Sequence, residues 1–348
     1  MKTLLKTILC FAVSSASIFG MYGFSNDWMD FLTDSSHLRA RTDQLGFVLG
    51  NSAVKGTFGF KADTLSFGNI MNYIDNGKLS LDATISLGLA YTSEIISVGL
   101  GYNYTYIDSS LDVHTPVLML NAMNDSLRIC IPFQIAASKD NKDNSDYSAF
   151  STSSEIRYYT GLDSINAVRL YINYGKNSYN VNSASSFGFE LRFYFLPTTI
   201  NNVWINPFIK VLYSSALDAN GKDIINKSTE TLVNIQSQDR ILYTSNNANE
   251  IYESNPYIVR ITPALSLYAN SDFVSLYFEP SIGYKIIYDG KKVGELNHTL
   301  TWGAYSEVRV YPVSDLEWYF EMGINSSNNP IPVNFRSATG INWYFTQL

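Results

Sequence analysis

Ile96-Ser97-Val98-Gly99-Leu100-Gly101-Tyr102-Asn103-Tyr104-Thr105-Tyr106 alternates without a break. Apolar and aromatic residues fall on the even positions, and glycine, serine, asparagine and threonine on the odd ones. A strand turns successive side chains to opposite faces, so this stretch is extended, with one apolar and one polar face. Ser80–Tyr91 has the same rhythm, with Leu81, Ala83, Ile85, Leu87, Leu89 and Tyr91 on one side. So does 185–195, where Phe187, Phe189, Leu191, Phe193 and Phe195 oppose Ser186, Gly188, Glu190, Arg192 and Tyr194. Trp318, Phe320, Met322 and Ile324 oppose Glu317, Tyr319, Glu321 and Gly323 in the same way.

The pattern covers most of the chain. Strands are expected near 54–61, 79–91, 95–107, 114–123, 126–138, 152–161, 166–175, 185–195, 202–214, 256–269, 273–288, 296–311, 316–325 and 335–345. That is about fourteen, within a range of 12 to 16. Residues 44–51 extend the first strand or form another, and 231–243 is a further candidate inside a long connection. Residues 26–41 carry Trp28, Phe31 and Leu32 at helical spacing, which suggests a short amphipathic helix or ordered arm.

Composition narrows the surroundings of such a sheet. Only 16% of residues are charged and 14% are aromatic, with 25 Tyr and 20 Phe, yet mean hydropathy is near zero. A soluble domain carries about 25% charge, and a helical membrane protein is far more apolar. Strands with every second residue in lipid give the intermediate value. The expected fold is therefore an all-β antiparallel transmembrane barrel. A net charge of −7 and the absence of a basic stripe exclude nucleic acid as a partner.

Both ends agree. Lys2 and Lys6 precede the apolar run 7–13 and the small residues Ser14, Ser15, Ala16 and Ser17, the pattern of a cleaved signal peptide. Residues 1–20 are assigned to it, 21–43 to a periplasmic arm and 44–348 to the barrel. The chain closes on an alternating strand containing Gly340, Trp343 and Phe345, the expected signal for the barrel-assembly machinery. Cys10 leaves with the leader, so Cys130 is then alone.

The connections sort by length. Residues 92–94, 124–125, 161–165, 270–272 and 312–315 are short, whereas 62–78, 139–151, 176–184, 215–255 and 326–334 are long. The two sets alternate. Outer-membrane barrels have short periplasmic turns and longer external loops.

The polar face carries Arg128, Arg169, Glu190, Arg192, Lys210, Arg260, Glu279, Lys285, Glu307, Arg309, Glu317, Glu321 and Arg336. Arg or Lys on the lipid side costs about 2–4 kcal/mol at the midplane, so these residues are expected to line the lumen. Two readings stay open: ion pairs that fill the lumen, or charges that line an aqueous pore. His37, His114 and His298 make no ligand spacing, and no Gly-x-Ser-x-Gly or nucleotide loop occurs. No enzyme chemistry, metal or cofactor is expected.

Met21-Tyr22-Gly23 and Asp27-Trp28-Met29-Asp30-Phe31-Leu32-Thr33-Asp34 resemble the mature start of the variable surface protein family of intestinal spirochaetes. Arg39-Ala40-Arg41-Thr42-Asp43-Gln44-Leu45-Gly46-Phe47-Val48-Leu49-Gly50, Lys55-Gly56-Thr57-Phe58-Gly59-Phe60-Lys61 and His114-Thr115-Pro116-Val117 extend the resemblance. It implies an abundant, antigenically variable outer-membrane protein, with host antibodies or a host surface as partners and a homo-oligomer as an option. It transfers no catalytic residue. A general porin passing small polar solutes is the alternative, and an adhesin using 215–255 the weaker one.

Overall fold

The structure is a computed structural model that describes residues 39–41, 46–62, 83–106, 111–138, 147–162, 164–179, 182–218, 252–290, 296–326 and 333–344. Among them there is no helix. The strands are β1 (Arg39–Arg41), β2 (Gly46–Gly50), β3 (Val54–Ala62), β4 (Ala83–Tyr91), β5 (Ile96–Tyr106), β6 (Leu111–Ala122), β7 (Leu127–Ser138), β8 (Tyr147–Tyr159) and β9 (Ile165–Tyr179). They continue with β10 (Asn182–Phe195), β11 (Thr198–Ile200), β12 (Val203–Ala216), β13 (Tyr257–Asn270), β14 (Val274–Tyr288), β15 (Leu296–Val313), β16 (Leu316–Ser326) and β17 (Val333–Tyr344). All lie in one antiparallel sheet, in which chain neighbours are sheet neighbours except that β10 and β11 both pair with β12. β1 pairs with β2 on one side and with β17 on the other, Ala40 facing both Phe47 and Trp343.

Each of the fourteen expected strands is present. The total is corrected upward to seventeen by three short elements. β2 realises the extra strand considered at 44–51. β1 and β11 have three residues each, too few to show a period. β11 pairs with β12 just beyond the β10–β12 register and extends that hairpin. A second correction concerns 176–184, expected as a long connection. β9 and β10 stay paired out to Tyr179 and Asn182, leaving only two residues between them. Of the helix or arm expected over 26–41, residues 39–41 form the strand β1 instead, held by pairing with β2 and β17. The rest of it, the leader, residues 231–243 and Phe345 lie outside the described residues.

Burial runs opposite to that of a water-soluble sheet. Along β5, Ser97, Gly99 and Asn103 are buried while Ile96, Val98 and Leu100 are exposed. Leu89 is 68% exposed, Leu100 62% and Leu300 64%, whereas Lys55 and Glu190 are 1% exposed and Glu155 is 0%. Apolar surface favours removal from water by roughly 25 cal/mol per Å². An outward apolar face this extensive therefore requires an apolar surrounding.

The turns at one end are tight and locally capped. In 123–126, Met123, Asn124 and Asp125 all have positive φ, and the Ser126 amide donates to the Met123 carbonyl at 3.1 Å. Asn and Asp tolerate this backbone region better than other side chains with a Cβ. In 51–53 the Asn51 side-chain oxygen accepts from the Ala53 and Val54 amides, both at 2.9 Å, and so starts β3.

Candidate functional site

Cross-strand register places the expected charged residues on one face, because directly opposed residues share a face in an antiparallel pair. Arg128 lies on β7, Arg169 on β9, Glu190 and Arg192 on β10, Lys210 on β12 and Arg260 on β13. Glu279 and Lys285 lie on β14, Glu307 and Arg309 on β15, and Glu321 on β16. Arg260 opposes Lys285, and Glu307 opposes Glu321. Gly340 and Trp343 lie on β17, Gly340 buried on the polar face and Trp343 exposed on the other.

The charges gather into local groups. Glu190 binds Arg192 two residues along the same strand. Glu307 does the same with Arg309, at 2.8 Å to Nη2 and 3.1 Å to Nε. Two residues along a strand bring side chains back to one face, so Glu-x-Arg is a self-contained pair. Lys210 reaches across β13 to Glu279 at 2.6 Å, and the Tyr277 hydroxyl donates to the other Glu279 oxygen at 2.7 Å.

Glu155 and Arg157 are the residues missed from the sequence. They form a third Glu-x-Arg pair at 2.5 Å, with side chains 0% and 7% exposed. The signal was available: they continue the alternation of Ser151 and Ser153 opposite Ile156 and Tyr158. Lys55, fully buried on β3, was also missed.

Near the last strands, Glu317 collects several donors. Asn342 Nδ2 donates to it at 2.7 Å, and the Tyr311 and Tyr344 hydroxyls each donate at 3.2 Å. Arg309 Nη1 lies 3.6 Å away. Beside this group, Tyr268, Ser275, Tyr277, Glu307 and Arg309 line a recess of about 290 Å³. Among the described residues no group of three His, Cys, Asp or Glu could hold a metal ion. Cys130 is buried between Met119 and Glu155 of the neighbouring strands.

The arrangement is thus a polar, charge-rich face closely covered, backed by a lipid-compatible exterior. Solved structures align with the chain. A bacterial polysaccharide outer membrane secretin aligns at 10% identity with a TM-score of 0.50, covering 84% of this chain and 86% of that one. OmpT, an outer membrane protein of Vibrio cholerae, aligns at 9% identity and a TM-score of 0.36, over 86% of this chain and 98% of that one. The translocator domain of the autotransporter NalP from Neisseria meningitidis gives 10% identity and a TM-score of 0.28, over 86% and 84%. No curated protein matches the chain. The Serpulina hyodysenteriae variable surface protein family matches residues 1–344. Family and fold together make this a surface-exposed outer-membrane protein. With the match running from the first residue to the end of the last strand, the chain belongs to the variable surface protein family.

Proposed function

We propose that the chain is exported by cleavage of residues 1–20 and closes into a transmembrane barrel that presents variable antigenic loops to the outside. The inverted burial is the observation that carries this reading, with Leu100 exposed and Glu190 enclosed. Loop lengths support it. The turns at 92–95, 123–126, 271–273 and 314–315 share one end, and the connections after β3, β7 and β12 share the other. Loops change freely because they carry little packing. The connections within 62–78, 139–151 and 215–255 are then the surface epitopes, read by host antibodies. The closing segment that carries Gly340, Trp343 and Phe345 is the one offered to the assembly machinery. Protease added to intact cells should cut in the loops after β3, β7 and β12. Cutting at the 123–126 or 314–315 turns instead would reverse the topology.

A second reading, a conducting barrel, has its own support. β11 continues the line of β10, which leaves sixteen strand positions from β1 round to β17. Barrels of 16 to 18 strands leave an aqueous channel. The uneven charge on the polar face suits a water-filled lumen better than a lumen filled by ion pairs alone.

A further inference from the structure

We propose that Arg128, Arg157, Arg169, Arg192 and Lys210 form one binding track for small phosphate- or carboxylate-bearing anions, which makes the lumen anion-selective. This deepens the conducting reading and rests on it.

The track follows from register. Arg128 opposes Arg157, Arg157 opposes Arg169, Arg169 opposes Arg192, and Arg192 opposes Lys210. Five neighbouring strands thus place a cation at directly paired positions on the same face. Adjacent strands lie about 4.8 Å apart, so the row spans roughly 19 Å. Arg128 is the second residue of β7, beside the 123–126 turn, whereas Lys210 sits near the middle of β12. The row therefore climbs from the short-turn mouth towards mid-barrel.

Like charges directly opposite one another destabilise a sheet. A face built only for packing would alternate sign across strands, as a ladder of Glu and Arg can. Here the compensating carboxylates are fewer than the cations. Glu155 takes Arg157, Glu190 takes Arg192 and Glu279 takes Lys210. Arg128 donates to the Asp125 carbonyl at 3.3 Å and lies over the Tyr159 ring at 5.5 Å. Arg169 sits with its guanidinium 5.0 Å from the centre of the Tyr194 ring. Among the described residues neither has a carboxylate partner. Arg169 is flanked by Arg157 and Arg192 and is only partly covered.

A guanidinium presents five donors in a planar fork that matches carboxylate or phosphate oxygens two at a time. Aromatic rings under Arg169 and Arg192 hold both forks in place, the latter 4.6 Å from the Tyr171 ring centre. The other glutamates of the polar face, Glu307, Glu317 and Glu321, are gathered on β15 and β16, outside the row. An anion in the lumen thus meets the forks of Arg128 and Arg169, on a row whose other cations, Arg157, Arg192 and Lys210, are held by carboxylates and add positive potential.

The test is single-channel recording of the full mature chain in planar bilayers, with a potassium chloride gradient and then a potassium phosphate gradient. Gradients centred near 0.1 M keep the Debye length at about 10 Å, so the charges are felt. The expected result is a zero-current potential of anion-selective sign in both salts. Arg169→Gln and Arg128→Gln should each lower the anion preference several-fold while heat-modifiable folding and conductance persist. Arg169→Lys should retain most of it. A barrel that conducts without anion preference, or whose preference is unchanged in both Gln variants, overturns the track and leaves conduction standing. A correctly folded barrel that passes no current overturns the conducting reading itself, and the track with it.

Discussion

A Cβ placed on Gly340 would lie 2.5 Å from the Tyr319 hydroxyl oxygen and 2.7 Å from Cζ of the same ring. Tyr319 opposes Gly340 across β16 and β17, and the hydroxyl end of its ring lies over it on the polar face. An aromatic ring laid over a glycine fixes register, since one residue of slip would drive a side chain into it. Gly340→Ala should therefore destabilise the folded barrel by about 1–3 kcal/mol, measured by urea unfolding in lipid vesicles. In a Tyr319→Ala background the same change should cost clearly less. Equal costs in the two backgrounds would mean that the ring does not lock the register. A second residue reports on enclosure. Cys130 is 1% exposed between Met119 and Glu155. A maleimide should label it slowly in the folded protein and fast in urea, and equal rates would contradict its burial. Only part of this scale was legible in advance. The sign and face of Arg192 or Glu307 follow from alternation along their own strands. That Arg169 stands between two other arginines follows from register alone, which turn lengths and bulges decide across strands far apart in sequence.

At the scale of strands, alternation was a faithful guide wherever a strand meets apolar surroundings. The β5 and β16 faces read from the sequence are the faces observed, with Leu100 and Met322 exposed, Ser97 and Glu317 buried. The guide failed where both faces are polar. Lys176, Asn177, Ser178, Asn182 and Ser183 have no apolar partner pattern, so 176–184 read as a loop, although β9 and β10 remain paired there. Hydrogen bonding continues past the apolar zone, and the hydrophobic period does not. The missing length of β8 has the same origin, because Tyr147-Ser148-Ala149-Phe150 follows a run of Asn, Asp and Ser. The outward face makes its own prediction. Leu100→Arg, near the centre of β5, should cost about 2–4 kcal/mol of stability in a bilayer. Gly101→Ser, one residue away on the opposite face, should cost far less. A Leu100→Arg variant as stable as the parent would mean that this face does not meet lipid.

At the scale of the molecule, the account depends on a ring of strands rather than an open sheet. An open sheet would leave unpaired backbone groups at its edges, which lipid cannot satisfy. It would also expose the cation row to bulk water, where screening would remove its selectivity. The decisive contact is between β1 and the closing strand β17: Ala40 opposite Trp343, and Arg41 opposite Asn342. The most direct measurement is disulfide formation in outer membranes by a chain carrying Ala40→Cys and Trp343→Cys with Cys130→Ala. Directly opposed Cβ atoms come within reach of a disulfide. The account predicts a rapid intramolecular cross-link on mild oxidation, and much less with Arg41→Cys and Trp343→Cys, which are one residue out of register. No cross-link in the first pair, from protein that is folded and heat-modifiable, would contradict the closed barrel.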